Sequence, residues 1–274
     1  VISNKTGVNM PSVSSIAVGA LVAGAAASRA RHGMNESIAR LSTGIRSMYG
    51  GDAAGQSVAN TLQSRSKSWA VAARNAEDGI SAAQTAESAL LEIAALAQRL
   101  RELGIQADNA ALLDDDNDEA ALDAEAVAIA DAIDAIVEDT KFNGVDLLGF
   151  SVKSHAVAVA DDGGPIYLKT SNGFTSVSDY NEAAGAEVTA DIILSEVATD
   201  LGNVAAGMSA FKARQAVAYS ASANLAAAAS RIEDTDVALE SANLTRMAIL
   251  NQSAMAMVAQ ANKAAGAFLT IINS

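Results

Sequence analysis

The chain has no cysteine, two prolines, one tryptophan and only 4% aromatic residues among its 274. Without cysteine, disulfides, thiolate metal sites and thiol nucleophiles are excluded. Half of the residues are apolar, many of them alanine, and with so few aromatics the chain is poorly equipped for a thick globular core. Small side chains suit close helix–helix contact instead. The prolines, at 11 and 165, leave long stretches in which a helix can run without interruption. Bases are scarce: 18 Lys and Arg stand against 32 Asp and Glu, a net charge of −14. Binding nucleic acid requires neutralising phosphates with Lys and Arg, so a general nucleic-acid binder is disfavoured.

Catalytic equipment is equally thin. The two histidines, His32 and His155, fall on different kinds of element, and no G-x-S-x-G, H-E-x-x-H or phosphate-loop motif occurs. Asp114, Asp116, Asp118 and Glu125 stand at positions 1, 3, 5 and 12 of a calcium-type loop, but Glu119 occupies the sixth position, where the sharp turn needs glycine. The acidic run 114–139 therefore reads as a solvated loop and helix face, with Asp118 capping the helix that follows. Neither catalysis, nor a cofactor, nor a metal is expected. The longest apolar stretch near the start, residues 16–27, is too short and too rich in Gly and Ala to span a bilayer, so no membrane partner is expected. It also lacks a basic segment before it and reads as an interface helix rather than a cleaved signal peptide.

What is present is a seam. Val197, Leu201, Val204, Met208, Phe211, Gln215, Ala218, Ser222, Leu225, Ala229 and Ile232 alternate steps of four and three. A helix so patterned carries one narrow apolar stripe, here roughly 54 Å long at about 1.5 Å per residue. Matching stripes occur at Ala89, Ile93, Leu96, Leu100, Leu103 and at Leu122, Ala126, Ile129, Ile133, Ile136. Three such helices can close a bundle.

Further helices are predicted over 13–48, ended by Gly50-Gly51, and over 56–108, with a bend near Gly79. The last helix is predicted over 236–274, with Leu244, Met247, Ala254, Val258, Ala261, Ala265 and Phe268 on one stripe. Met255, Met257 and Trp69 read as packing residues. Between the helices, Phe142-Asn143-Gly144 signals a turn. Residues 152–160 and 166–170, separated by Asp161-Asp162-Gly163-Gly164-Pro165, read as a β-hairpin. The fold class is therefore mainly α: an elongated antiparallel helical bundle or coiled coil with a small β-hairpin insert.

Several stretches add up to a family resemblance. Residues 36–46 (ESIARLSTGIR), 52–56 (DAAGQ), 73–87 (ARNAEDGISAAQTAE), 98–103 (QRLREL) and 140–145 (TKFNGV) resemble the N-terminal part of bacterial flagellins. Residues 230–236 (SRIEDTD) and 259–262 (AQAN) resemble their C-terminal signature. The order is right, and only about 45 residues separate the FNGV stretch from the C-terminal helix, so the chain resembles a minimal flagellin without large outer domains.

The resemblance implies a subunit that polymerises into the flagellar filament for swimming motility. A related hook–filament junction or cap-type adaptor is the alternative. It implies inner-tube segments at 1–46 and 236–274. It also implies a rod domain from 47–140 and 190–235, with 141–189 as its hairpin and loop insert. Ile38, Leu41, Ile45, Leu244, Met247, Val258 and Phe268 are the expected inner-tube assembly residues, and Arg231, Glu233 and Asp236 the expected domain junction. Arg99, Leu103 and Glu125 match positions that in some flagellins contact a Toll-like immune receptor or a neighbouring subunit. The implied partners are further copies of the chain, the flagellar export apparatus, an export chaperone, and junction and cap proteins. The implied location is extracellular, in the flagellum. In this reading the terminal helices are left without partners within one subunit and become helical on assembly.

Overall fold

Helix dominates because long stretches lack any breaker. The computed structural model describes residues 13–46, 52–109, 117–177 and 183–272. Five helices, α1 (Val13–Thr43), α2 (Ala53–Ala107), α3 (Asp118–Asp139), α4 (Ala186–Glu233) and α5 (Val237–Ile272), are interrupted by four strands between α3 and α4. By compactness the chain divides into one unit of residues 1–61 with 227–274 and another of residues 62–226, the divisions falling inside α2 and α4. The breaks expected near 46 and 235 both lie within the first unit.

In the unit of residues 62–226, α2 and α4 pack antiparallel. Ser66 Oγ donates to the Ser222 carbonyl at 2.9 Å, and Arg101 Nε donates to Asp191 Oδ1 at 2.8 Å, so α2 ascends while α4 descends. The seam of α4 is where its spacing places it: every member from Val197 to Leu225 is at least half-buried. It also starts earlier, at Ala186, Ala190 and Ile193, all buried.

The core joins Leu90, Ile93, Leu100 and Leu103 of α2 to Leu122, Ala126, Ile133 and Val137 of α3 and to Ile193, Val197, Val204 and Phe211 of α4. The stripe of α2 is rotated from the expected one, with Leu90 and Ala97 fully buried where Ala89 and Leu96 were expected. Within this unit, the buried residues of α2 before Ala76 are alanine and serine (Ser66, Ala72, Ala73), so the large side chains concentrate where three helices and the strands meet.

No break occurs at Gly79, and α2 runs on as one 55-residue helix. That glycine makes room for Phe211 instead, whose ring carbons would stand 3.1 Å from an added Cβ. The acidic loop 110–116 lies outside the described residues, including Asp114 and Asp116. Asn117, not Asp118, stands at the N-terminal cap position of α3, without a side-chain capping bond; Asp118 and Glu119 lie in the first turn, where the helix dipole favours them.

The strands form two hairpins. β1 (Lys141–Phe142) and β2 (Val145–Asp146) are joined by Asn143 and Gly144, both left-handed at φ 50° and 80°. A two-residue turn with positive φ at both positions is type I′, for which Asn-Gly is the preferred pair. β3 (Val152–Ala158) pairs antiparallel with β4 (Pro165–Asn172), with an irregularity at Lys153/Ser154. Arg65 Nε donates to Asp161 Oδ2 at 2.8 Å and Asn75 Nδ2 to the Ala158 carbonyl at 2.9 Å, fastening this hairpin to α2.

The acidic face is not merely solvated. Asp134 accepts from Ser176 Oγ at 2.9 Å, Asp123 accepts the Ala183 amide, and Glu125 accepts from Arg99. Carboxylates of α3 thereby hold Ser176, Val177 and Ala183.

In the unit of residues 1–61 and 227–274, α1 packs on α5. This corrects the expectation that the terminal helices lack partners within one chain: they are partners of each other. Helix α1 also ends five residues before Met48, because Gly44 takes φ 72° and its amide bonds the Arg40 carbonyl at 2.8 Å, the left-handed C-terminal cap.

Candidate functional site

The α1–α5 pair has its sizes inside out. Ala23, Ala27, Ala30 and Ser37 on α1, and Ala254 on α5, are buried. With the half-buried Met34 and Leu41, the α1 set repeats at steps of four and three, a seam built largely of alanine. Large apolar residues face outward instead. Val18, Leu21, Val22 and Ile38 on α1, and Leu239, Ile249, Leu250, Met255 and Met257 on α5, are all exposed, Leu21 at 78% and Met257 at 66%. Met255 and Met257 are therefore not packing residues within one chain. Gly33 stands against Met247, whose Cε and Sδ would lie 3.2 Å from an added Cβ, so the helices approach closely there.

Of the expected assembly residues, Leu41, Leu244, Met247 and Val258 are half-buried, while Ile38 points outward at 48% exposure. Ile45 is half-buried in an isolated antiparallel bridge with Asp234. Phe268 lies within α5, but its side chain is outside the described ones.

The loops after α1 and α4 are stitched together around that bridge. The Arg46 amide donates to the Glu233 carbonyl at 2.7 Å and the Thr235 amide to the Gly44 carbonyl at 2.8 Å. The Arg46 guanidinium bonds the Ile232 carbonyl at 3.0 Å from Nη2 and approaches Asp52 Oδ2 at 3.4 Å. Gln56 Nε2 donates to Glu233 Oε1 at 3.3 Å. Asp236 caps α5, its Oδ1 accepting the amides of Ala238 and Leu239 at 2.9 and 3.1 Å, and Arg231 is exposed. Asp52 caps α2 as expected, accepting the Gly55 amide at 2.8 Å. Glu233 bonds across this crossing to Arg46 and Gln56, which were not singled out, while Asp236 bonds only within the start of α5 among the described residues.

A second residue missed in the sequence is Glu240. It is buried on the α1-facing stripe of α5, four positions before Leu244, and accepts from Arg40 Nε at 3.0 Å and Nη2 at 2.8 Å. A carboxylate interrupting an apolar stripe was the available signal. The Arg40 hydrogen bond, helped by Ser37, holds the Glu240 carboxyl below its usual value of 4.5.

The other unit has the opposite case. Asp200 is fully buried, and burial raises its carboxyl above 3.8, opposed by its hydrogen bond from the Asn172 amide at 3.0 Å. The signs differ accordingly. Glu240 contributes stability above pH 4.5 that is lost as pH falls through its lowered folded value. Asp200 favours the protonated fold, so acidification toward 3.8 relieves it. In thermal unfolding measured against pH, Glu240→Gln is expected to lose part of the acid-side decline. Asp200→Asn is expected to steepen that decline by removing the opposing term.

Arg99 on α2 donates to Glu125 of α3 at 2.7 Å and to Glu102 at 3.2 Å, on the surface. Leu103 lies fully buried beneath, so it supports this face without forming it. His155 is half-buried, with Nε2 lacking a partner among the described residues; burial and then Lys153 lower its pKa. Among the described residues, no three His, Asp or Glu side chains converge as a metal site would need. No described helix is long and apolar enough to cross a membrane.

Comparison with known proteins bears on the whole chain. The family model of the bacterial flagellin N-terminal helical region matches residues 15–151, and that of the C-terminal helical region matches residues 187–271. A flagellin of Halalkalibacterium halodurans is 33% identical over 245 residues, 85% of this chain and 89% of the relative. A flagellin of Bacillus subtilis is 32% identical over 266 residues, 82% of this chain and 88% of the relative. A crystal structure of Bacillus cereus flagellin aligns at 25% identity over 56% of this chain and 88% of that one, with a TM-score of 0.36, too low to bear on the arrangement of the helices.

Proposed function

Because the chain belongs to the bacterial flagellins, we propose that its copies join through the outward apolar faces of α1 and α5. It is a structural subunit of the flagellar filament, extracellular, and it polymerises with itself. The observation that carries the proposal is the inverted helix pair. Exposed Leu, Ile, Val and Met on helices whose buried positions are largely alanine are costly in water and point to an interaction surface. At about 25 cal/mol per Å², covering such side chains between copies would stabilise association. Contacts between copies need not be self-complementary, and heterologous contacts that do not close propagate as a helix.

On this reading Val18, Leu21, Val22, Ile38, Leu250 and Met257 meet neighbouring subunits. Leu41, Leu244, Met247 and Val258 hold the pair together, and Arg231, Glu233 and Asp236 belong to the crossing that joins the terminal segments to the rest of the chain. The exposed Arg99–Glu125 pair is the proposed face toward an adjacent subunit or a Toll-like receptor. The export apparatus, an export chaperone, and junction and cap proteins are the proposed further partners, in keeping with family membership.

Leu250 and Met257 are seven residues apart, two turns along one face of α5. Converting both to aspartate is expected to abolish filaments in electron micrographs while helical content by circular dichroism stays close to that of the parent. Filaments of normal length and yield would overturn the proposal.

A further inference from the structure

Asn-Gly occurs twice in this chain, at 143–144 and 172–173, and the two sites are held very differently. Asn143 and Gly144 form the exposed tip of the β1–β2 hairpin, and nothing lies within 4 Å of where a Gly144 side chain would begin. The hairpin pairs Lys141 with Asp146 and Phe142 with Val145 and is closed by the Leu147 amide donating to the Thr140 carbonyl at 2.9 Å; of the four paired residues only Phe142 is even half-buried. So short a two-stranded element opens at small cost.

At the second site the same dipeptide is locked. The Asn172 side-chain oxygen accepts from Lys169 Nζ at 2.7 Å, and the Asn172 backbone N–H donates to Asp200 Oδ2 at 3.0 Å. The Gly173 amide donates to Ser171 Oγ at 3.0 Å, and Ser171 is fully buried. The Phe150 carbonyl would stand 3.3 Å from an added Gly173 Cβ, so the glycine is also crowded by backbone.

We propose that Asn143 is a site of spontaneous deamidation with water as co-reactant, and that Asn172 is protected from the same reaction by its contacts. The Gly144 backbone nitrogen attacks Asn143 Cγ. A bond forms between them, the Cγ–Nδ2 bond breaks, and ammonia leaves carrying the proton lost by the Gly144 nitrogen. The product is a five-membered succinimide. Water then adds to either ring carbonyl and reopens it to aspartate or isoaspartate, with no change in oxidation state. The attack needs the backbone to leave its left-handed turn geometry, which a transient opening of the hairpin supplies. At Gly173 the attacking nitrogen is already engaged with Ser171, and the backbone cannot swing without displacing Phe150. The outcome at 143 is a new negative charge at the hairpin tip and, for isoaspartate, also an extra backbone methylene that the two-residue turn cannot accommodate.

The test is to hold the purified full-length chain as monomer in mildly alkaline buffer and follow both peptides by mass mapping and isoaspartate methyltransferase labelling. Conversion at 143 is expected to outpace that at 172 by about tenfold or more, the ratio set by local opening, and the two rates are expected to converge in strong denaturant. Asn143→Gln should remove the label at that peptide. The proposal is overturned if 143 stays amidated while the denatured chain converts, if the folded rates are equal, or if an equal disparity persists in denaturant.

Discussion

Replacing Phe211 with alanine is expected to destabilise the unit of residues 62–226 by about 3–5 kcal/mol. Phe211 is the largest fully buried side chain of this unit and is met across the interface by Gly79, whose missing side chain leaves the space the ring fills. Truncation removes the ring from a fully buried site faced on α2 by a glycine. The loss of apolar burial and the residual cavity therefore add rather than offset. Chemical denaturation followed by circular dichroism measures the loss. A change below about 1 kcal/mol would mean that the antiparallel contact between α2 and α4 is not formed as described.

The second large effect comes from adding atoms. At Gly104 an alanine Cβ would lie 2.5 Å from the Glu187 backbone nitrogen and 3.1 Å from the Ala186 backbone carbon. Backbone cannot swing away as a side-chain tip can, so the end of α2 and the start of α4 must separate. Overpacking of this kind costs about 1–3 kcal/mol, and the separation also loosens Leu103 and Ala186 beside it. Gly104→Ala is expected to lower the unfolding midpoint in denaturant and to increase amide exchange in residues 100–107 and 186–193. Unchanged exchange there would contradict the close approach.

Much of this was legible in the sequence, for physical reasons. The seam of α4 could be read because steps of four and three leave a helix no other way to bury its apolar residues. Its first two turns were missed because Ala186 and Ala190, the residues that extend it, are small and give a weak apolar signal. On α2 the apolar residues come as neighbours, Ala89 with Leu90 and Leu96 with Ala97, so spacing alone admits two stripes one position apart. Only the partners choose between them.

The turn signals at 143–144 and 161–165 were reliable, since positive φ and proline act locally. The Arg40–Glu240 pair, separated by 200 residues in the chain, has no local signature. The same limit applies to the crossing of Arg46 with Glu233, and to the outward direction of Met255 and Met257, which depends on how α1 lies against α5. Of the residues expected to build the filament, Ile38 faces outward while Leu41, Leu244, Met247 and Val258 are half-buried, a division that spacing alone could not give.

The alanine interior of the α1–α5 pair has a consequence for how this protein melts. A helix pair whose internal contacts are mostly methyl groups holds little free energy of its own, and its outer faces gain theirs only from other copies. Its melting temperature is then set by mass action: it rises with the concentration of chain and jumps when the chain is taken up into polymer. The unit of residues 62–226 has a core of its own, with Leu90, Ile93, Leu100 and Phe211 fully buried, so its melting is expected to depend less on concentration. Dilution should separate two melting transitions that coincide in the assembled state, with the terminal pair acting as a thermometer of its neighbours rather than of itself.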